Sequence, residues 1–360
     1  MPSPEHGEQD ARFARAYSVL GQAISDRAFP GCSLSVVHAG RLVALKALGR
    51  FTYDPSSPAI EAGTIFDLAS VSKVVATTPM AMLLYERGQL DLDASVASLL
   101  PEFDGDDPRR EQVTVRMLLA HSSGLPAYER LFERAHTRQQ LLQAALTMPL
   151  TADPAARAEY SDLGFIILGE LLARLADEPM DRFCQREIFG PLGMAHTGYC
   201  PPPSWRAQIP PTVDDQSFRR RVVQGEVHDE NASVMGGVAG HAGVFAPALD
   251  VAMFAHAMLN GGRPILRPDT VALFTRRQAS PPATSRALGW DTPSQPSQSG
   301  RLLSSAAFGH LGYTGTSLWI DPEHQFAITL LTNRTWPDHS NQAIKQVRPR
   351  FYNAMVEALL

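Results

Sequence analysis

Strand patterns at both ends of the chain, separated by a long helical segment, constrain the fold of this sequence most. Near the start, two apolar runs within 33–45 flank Ala39-Gly40, a pattern typical of an antiparallel hairpin. A second hairpin is predicted over 316–332, and residues 90–200 are dominated by helical patterns separated by Pro and Gly. The sequence therefore predicts an α+β fold, an antiparallel β-sheet flanked by helices and built from both termini, with an inserted mainly helical lobe.

Two lobes of a single domain, 1–360, follow from this arrangement. We expect an α/β lobe from approximately 1–75 and 236–360 and a mainly helical lobe over approximately 76–235, with the active site between them. Two local predictions accompany this division. The proline-rich residues 201–235 are predicted to form a long surface excursion, and the closing helix to be interrupted at Pro349.

The composition indicates a globular protein and excludes some partners. Of 360 residues, 44% are hydrophobic and 19% charged, and the net charge of -5 offers no basic surplus for nucleic acid. The arginines at 219–221 are expected to form a solvated turn, and the three cysteines to be free thiols. No apolar targeting segment and no run of about 18 apolar residues is present, which predicts a cytoplasmic protein without a membrane partner.

A serine and a lysine one helical turn apart provide the first candidate for chemistry. In Phe66-Asp67-Leu68-Ala69-Ser70-Val71-Ser72-Lys73, a turn would bring Ser70 to the start of a helix, with Lys73 on the same face. A lysine with a lowered pKa can activate a serine hydroxyl, and the helix N-terminus would favour an oxyanion beside it. Taken alone, the pattern also fits an N-cap serine followed by a solvated lysine.

Two later stretches supply possible companions for Ser70. Tyr160 stands at the entry to an apolar helix and could relay protons if nearby ammonium charge lowers its pKa; a buried helix-capping tyrosine is the alternative. The stretch Phe308-Gly309-His310-Leu311-Gly312-Tyr313-Thr314-Gly315 leads into a strand, and its glycines would let a substrate lie along the backbone. A surface hairpin with an isolated histidine fits the second stretch equally.

The order and spacing of the three stretches resemble the serine β-lactamase and penicillin-binding-protein superfamily, with its S-x-x-K, Y-x-N and K-T-G motifs. Within it, the chain is similar to the class C β-lactamase-related group of D-alanyl-D-alanine carboxypeptidases, family VIII esterases and serine hydrolases. The resemblance extends over nearly the whole chain. Further matching stretches are Arg87-Gly88-Gln89-Leu90-Asp91-Leu92-Asp93, His121-Ser122-Ser123-Gly124-Leu125-Pro126, Ile188-Phe189-Gly190-Pro191-Leu192-Gly193-Met194 and Gly240-His241-Ala242-Gly243-Val244-Phe245.

The resemblance implies a role for each matching residue. Ser70 would be acylated, Lys73 would be its general base or charge partner, and Tyr160 would carry the proton between nucleophile, leaving group and water. His310 and Gly312 occupy K-T-G positions, and the backbone N–H of Tyr313 would form the oxyanion hole with that of Ser70. The implied function is a cofactor-independent serine hydrolase that forms an acyl-enzyme from a small ester, amide or short peptide.

The sequence departs from the family pattern at two positions of the motifs. Asp162 stands where the Y-x-N motif has asparagine, which replaces an amide donor with an anion at a substrate-binding position. His310 stands where β-lactamases have lysine, and a neutral imidazole attracts a substrate carboxylate less strongly. Both changes favour an esterase or peptidase with weak or no β-lactamase activity.

Other functions remain as alternatives or are disfavoured. A catalytically inactive relative that serves as a binding or assembly module is the main alternative. The histidines and acids at 121, 228–230, 241 and 310 lack metal-site spacing, and residues 236–243 lack the lysine of a P-loop. Residues 228–231 are expected either to border the cleft or to form a turn with Asn231 as N-cap. Trp290 is expected in the core or the cleft wall.

Overall fold

A sheet made from both ends of the chain forms the framework of the molecule. The structure, a computed structural model, describes residues 1–294 and 296–360. Its strands are β1 (Ser3–Pro4), β2 (Gly31–His38), β3 (Arg41–Gly49), β4 (Ile65–Asp67), β5 (Gly198–Tyr199), β6 (Val213–Asp215), β7 (Arg221–Val223), β8 (Val244–Pro247), β9 (Phe308–Leu311), β10 (Ser317–Asp321) and β11 (Phe326–Thr332). The main sheet has the order β1-β3-β2-β11-β10-β9 and is antiparallel except for the β1–β3 pair.

Both predicted hairpins are confirmed. Ala39 and Gly40 have φ angles of 48° and 79°, and two successive positive values are typical of the tight turns that match the twist of paired strands. The hairpins join where β2 pairs with β11, from Cys32 opposite Thr332 to His38 opposite Phe326. The predicted α+β class, with a sheet built from both termini, is therefore correct.

Helices cover both faces of this sheet. They are α1 (Gln9–Arg12), α2 (Ala14–Ser25), α3 (Thr78–Glu86), α4 (Val96–Leu99), α5 (Val115–Leu119), α6 (Arg138–Leu146), α7 (Asp162–Ala176), α8 (Met180–Cys184), α9 (Glu230–Val234), α10 (Ala248–Leu259), α11 (Pro268–Thr275) and α12 (Ile344–Leu359). Helices α2 and α12 pack on one face of the sheet, and α10 packs on the other. The predicted lobe boundaries at 75/76 and 235/236 stay a prediction. None of the helices in the described residues is both long and apolar enough to cross a membrane.

The closing helix differs from its prediction. Helix α12 runs from Ile344 to Leu359 without interruption at Pro349. The proline lacks one N–H, which removes a single hydrogen bond to the preceding turn. The buried face of the helix, which includes Phe351, Tyr352 and Met355, packs against the sheet, and this packing outweighs the lost hydrogen bond.

Residues 201–235 are not simply a surface excursion, which corrects a second prediction. They contain β6, β7 and α9, and several of their side chains are buried. Arg219 is not in a solvated turn either: its guanidinium side chain is only 5% exposed. It bonds to the Asp215 carboxylate and to the carbonyls of residues 227–229, which together compensate for removing the charge from water.

Candidate functional site

Ser70 lies at the start of an irregular helix that follows β4. A 3-10 turn spans Ala69–Val71, a π-helical segment spans Lys73–Thr77, and α3 begins at Thr78, one residue before Pro79. Ala69 is left-handed, with φ of 46°, and its N–H donates to the Asp67 carboxylate at 2.8 Å. The predicted turn that presents Ser70 is confirmed, although its first turns are not α-helical.

Four oxygen atoms surround the side-chain nitrogen of Lys73. Nζ lies 3.1 Å from Ser70 Oγ, 2.6 Å from the Tyr160 hydroxyl, 2.7 Å from Asp162 Oδ1 and 3.0 Å from the His241 carbonyl oxygen. The side chain is fully buried, which excludes the solvated-lysine alternative. Burial lowers the pKa of Lys73, and the nearby Asp162 carboxylate opposes this effect.

Tyr160 connects Lys73 to Ser70. Its hydroxyl lies 2.7 Å from Ser70 Oγ and 3.1 Å from Asp162 Oδ1. Burial, and then the Asp162 carboxylate, raise the pKa of Tyr160 well above its usual range. The expectation that ammonium charge lowers this pKa is therefore wrong, because desolvation and an adjacent anion outweigh the cation. Tyr160 is a neutral phenol that can donate one hydrogen bond while accepting others.

The segment that carries Tyr160 is fixed from two sides. Ser161 is the N-cap of α7, and its hydroxyl accepts the N–H of Gly164 at 3.1 Å. The Ser161 N–H in turn donates to His121 Nδ1 at 3.0 Å, and the His121 ring packs 4.7 Å from that of Tyr160. Burial keeps the pKa of His121 well below its usual value. The motif at 121–126 therefore positions the tyrosine through a neutral imidazole.

Residues 308–311 form β9, the last strand of the main sheet, next to Ser70, whereas the sequence predicted a strand only after this stretch. The hydroxyls of Thr314 and Thr316 each donate at 2.8 Å, to the carbonyls of Asp67 and Leu68 respectively. A Cβ on Gly312 would collide with the Thr316 hydroxyl and the Leu68 carbonyl, so only glycine fits. Among the described residues, the backbone N–H of Tyr313 has no protein acceptor, which leaves it available to another group.

His310 lies beside this cluster without bonding to it. Its ring centroid is 5.9 Å from that of Tyr160, and Nδ1 lies 2.7 Å from the Leu311 carbonyl oxygen. A carbonyl only accepts, so Nδ1 carries the proton and Nε2 is an acceptor, for which the described residues offer no partner. Burial and the Lys73 charge hold the pKa of His310 well below its usual value. The imidazole is therefore neutral, as the sequence suggests.

The glycine-rich stretch 236–243, before β8, places the His241 carbonyl at Lys73 and the His241 ring against Asp229. A Cβ on Gly240 would collide with the Phe165 carbonyl of α7, so a glycine here allows the two backbones to approach closely. His241 Nε2 lies 2.8 Å from Asp229 Oδ1. Asp229, rather than Asn231, is the N-cap of α9, because its carboxylate accepts the Ala232 N–H at 2.7 Å.

A cleft of about 730 Å³ opens over these groups. Its lining contains Ser70, Tyr160, Asp162, His310, Gly312 and Tyr313 together with residues 228–230, so the predicted border at 228–230 is confirmed. Trp290 belongs to the core instead, packed edge-on against Phe308. Four arginines of the lining lie in no motif, and only the structure reveals them: Arg130, Arg286, Arg334 and Arg348.

Comparisons with known proteins agree with this geometry. The Beta-lactamase family model matches residues 13–348. The chain is 32% identical to a putative D-alanyl-D-alanine carboxypeptidase of Salmonella agona (strain SL483), over 93% of this chain and 84% of the relative. It is 34% identical to an N-acetylmuramyl-L-alanine amidase of Bacillus subtilis (strain 168), over 85% of this chain and 77% of the relative.

Solved structures show the same fold. EstCE1, a hydrolase with promiscuous acyltransferase activity, superimposes with a TM-score of 0.78 at 22% identity, covering 96% of this chain and 99% of its own. A class C β-lactamase from Rhodobacter sphaeroides gives a TM-score of 0.75 at 21% identity, with 96% and 99% coverage. The chain therefore belongs to the Beta-lactamase family of serine hydrolases.

Proposed function

We propose that the protein is a serine hydrolase that cleaves a small ester or a D-amino-acid-type amide through an acyl-enzyme at Ser70. The observation that supports this most is the hydrogen-bonded chain from Ser70 Oγ to the Tyr160 hydroxyl, 2.7 Å, and on to Lys73 Nζ, 2.6 Å. The alternative, an inactive binding module, needs no such chain of a nucleophile, a phenol and a buried amine.

The hydrogen bonds of Lys73 Nζ support proton transfer from Ser70 through Tyr160 to Lys73. The His241 carbonyl and the Asp162 carboxylate can only accept hydrogen bonds, so they hold two of the N–H groups of Lys73. The third hydrogen-bonding position of Lys73 Nζ faces Tyr160 and Ser70. In a neutral amine this position is a lone pair, which accepts from the Tyr160 hydroxyl while that hydroxyl accepts from Ser70. The Ser70 proton then moves to Tyr160 as the proton of Tyr160 moves to Lys73.

The complete reaction uses the same groups twice. Ser70 Oγ bonds to the substrate carbonyl carbon, and the oxyanion is stabilised by the backbone N–H groups of Ser70 and Tyr313. The leaving group departs with the proton held by Tyr160 and Lys73. A water molecule then attacks the acyl carbon, returns a proton through the same chain, and releases Ser70.

The test combines turnover with a covalent label. Incubation with a p-nitrophenyl ester should release p-nitrophenol, and a fluorophosphonate should add one phosphonyl group to the intact protein, located at Ser70 by peptide mass. Ser70→Ala should lose both signals, while Ser72→Ala, which changes a neighbouring buried serine, should keep the label. Absence of turnover and of the adduct in the unmodified protein would favour the binding module.

A further inference from the structure

Asp67 is a buried carboxylate that the proposed reaction does not use. It is the last residue of β4, shortly before Ser70, and is 2% exposed. In the part of the chain that the structure describes, no side-chain cation forms an ion pair with it, and Arg219, whose charge acts on it, bonds to Asp215 instead. An unpaired anion costs free energy when it is removed from water, and burial raises the pKa of Asp67 to about 6. A buried anion at this position is therefore better explained by a function than by stability.

The hydrogen bonds of Asp67 join three segments of the cleft. Its Oδ1 accepts the Ala69 N–H at 2.8 Å, and its Oδ2 accepts the His228 N–H at 2.6 Å. The backbone carbonyl of Asp67 also accepts the hydroxyl of Thr314, the residue after Tyr313. A single residue therefore bonds to the turn that begins at Ala69, to the cleft wall at His228 and to the turn that carries the Tyr313 N–H.

Ala69 depends on this hydrogen bond because its backbone is left-handed. Its φ angle is 46°, a conformation in which the Cβ of an L-residue crowds the following carbonyl. Relaxation of Ala69 to a negative φ would rotate the next peptide group, which carries the Ser70 N–H. In the described parts of the chain, that N–H has no protein acceptor, like the N–H of Tyr313. The two N–H groups can therefore act together on an oxyanion only while Ala69 keeps this conformation.

We propose that Asp67 is a positioning residue for the oxyanion hole: its carboxylate holds Ala69 left-handed and so aims the Ser70 N–H at the developing oxyanion. This inference rests on the proposed function, because the oxyanion forms during acylation of Ser70. The bond from the His228 N–H holds the second carboxylate oxygen, which prevents the carboxylate from rotating away from Ala69. Preorganised donors stabilise the transition state more than the bound substrate, so loss of this positioning should lower kcat more than it changes KM.

The test replaces one carboxylate oxygen with an amide donor. In Asp67→Asn, the side chain keeps one acceptor oxygen, but its NH2 group cannot accept the second backbone N–H. At pH 8, where the carboxylate is ionised, we expect kcat for p-nitrophenyl butyrate to fall about tenfold or more and KM to change less than about threefold. Phenylboronic acid forms a tetrahedral adduct with a reactive serine, and its Kd should rise by about the factor by which kcat/KM falls.

A second substitution tests whether Asp67 acts through Ala69. Glycine adopts a positive φ without strain, so Ala69→Gly should raise kcat about threefold or more in the Asp67→Asn background and by a smaller factor in the wild type. A purely structural role for Asp67 predicts no such recovery. Should Asp67→Asn fail to fold, Ala69→Val tests the same point, because its branched side chain disfavours a positive φ and should lower kcat about tenfold or more. An unchanged kcat in Ala69→Val would then overturn the proposal.

Asp250→Asn is the matched control. Asp250 is also buried, 4% exposed, and its carboxylate accepts the His196 N–H and the Thr197 hydroxyl, but it lies on α10, outside the cleft lining of the described residues. Its replacement should leave kcat within about twofold. An unchanged kcat in Asp67→Asn, an equal fall in Asp250→Asn, or the absence of recovery by Ala69→Gly would each overturn the assignment.

A crystal structure of Asp67→Asn separates the failure of this inference from that of the proposed function. A wild type without hydrolysis or boronate binding would count against the proposed function, while the backbone of the variant would still report on positioning. A negative φ at Ala69 with a displaced Ser70 N–H would support the role of Asp67, and an unchanged backbone would overturn it. With a wild type that hydrolyses the ester, an unchanged kcat in Asp67→Asn would overturn the positioning role alone.

Discussion

The side-chain nitrogen of Lys73 lies 2.7 Å from Asp162 Oδ1, at the position where the Y-x-N motif has a neutral asparagine. The carboxylate stabilises the protonated form of the lysine and works against the burial that lowers its pKa. The two effects together determine the pH at which Lys73 becomes a base. We therefore expect Asp162 to influence proton transfer as well as any contact with a substrate amide.

Replacement of Asp162 by asparagine should move the acid limb of activity to lower pH. Asp162→Asn removes the anion that raises the pKa of Lys73 most, so the lowering effect of burial is opposed less and the lysine loses its proton more readily. The measurement is kcat/KM for a neutral ester between pH 5 and 10 in both proteins. A limb that stays in place or moves to higher pH would show that Lys73 is not the titrating base.

Removal of the Tyr160 hydroxyl should interrupt proton transfer. We expect Tyr160→Phe to lower kcat about 100- to 10,000-fold with little change in melting temperature, since the ring and its packing remain. Tyr128→Phe, at another tyrosine of the cleft lining, should change kcat less than about threefold. The raised pKa of Tyr160 also predicts that activity does not fall between pH 8 and 10. A smaller loss in Tyr160→Phe would assign the proton transfer to Lys73 alone.

A lysine at position 310 should increase reactivity toward carboxylate-bearing β-lactams. His310→Lys adds a cation where the K-T-G motif has lysine, and we expect a gain of about tenfold in kcat/KM for nitrocefin. His310 is 3% exposed, so burying an ammonium there should reduce the free energy of unfolding by about 1–3 kcal/mol. His310→Gln, without the charge, is the control. Unchanged nitrocefin turnover in His310→Lys would show that charge at this position is not limiting.

The Gly312 position should not tolerate a methyl group. In Gly312→Ala, the added Cβ would displace the loop that carries the Tyr313 N–H, and we expect kcat to fall at least about 100-fold, as for loss of an oxyanion donor. Gly63→Ala adds a methyl group where no atom lies within 4 Å and should leave kcat unchanged. Equal ester hydrolysis by Gly312→Ala and the wild type would exclude Tyr313 from the oxyanion hole.

Asp67 should make stability depend on pH. Burial raises the pKa of Asp67 to about 6, above an unfolded value of about 4. Its contribution is therefore fully present below about pH 4 and is lost as the pH rises through about 6, a change of roughly 3 kcal/mol. We expect the difference in free energy of unfolding between wild type and Asp67→Asn to shrink or reverse by this amount from pH 4 to 7. A difference independent of pH would contradict the shift.

Periodic and turn-forming patterns account for what the sequence could predict. The hairpin around Ala39-Gly40 is local, and the positive φ angles of its turn follow the predicted turn chemistry. The grouping of Ser70, Lys73 and Tyr160 could be expected from their motifs. The helix through Pro349 could not, because its stability comes from packing against a sheet that is distant in sequence.

Some features of the structure could not be predicted because no local sequence pattern marks the residues that form them. Arg219 becomes buried because three carbonyls and Asp215 converge on it, and no spacing in the sequence encodes that convergence. Arg286 reaches Tyr160 across 126 positions of the chain, a separation given by their residue numbers. The direction in which the pKa of Tyr160 shifts depends on burial and on which side chain lies nearest. It could therefore be derived only from the three-dimensional structure.

The pairing of β2 with β11 has a consequence for synthesis of the protein. One edge of β2 bonds to β3 within the N-terminal hairpin, but the other edge pairs with residues 326–332 of β11. During translation, that edge keeps unpaired N–H and C=O groups until residues 326–332 have emerged from the ribosome. A nascent chain that ends before residue 326 should therefore expose a template for intermolecular strand pairing, and a chaperone that shields it would be most useful in that interval.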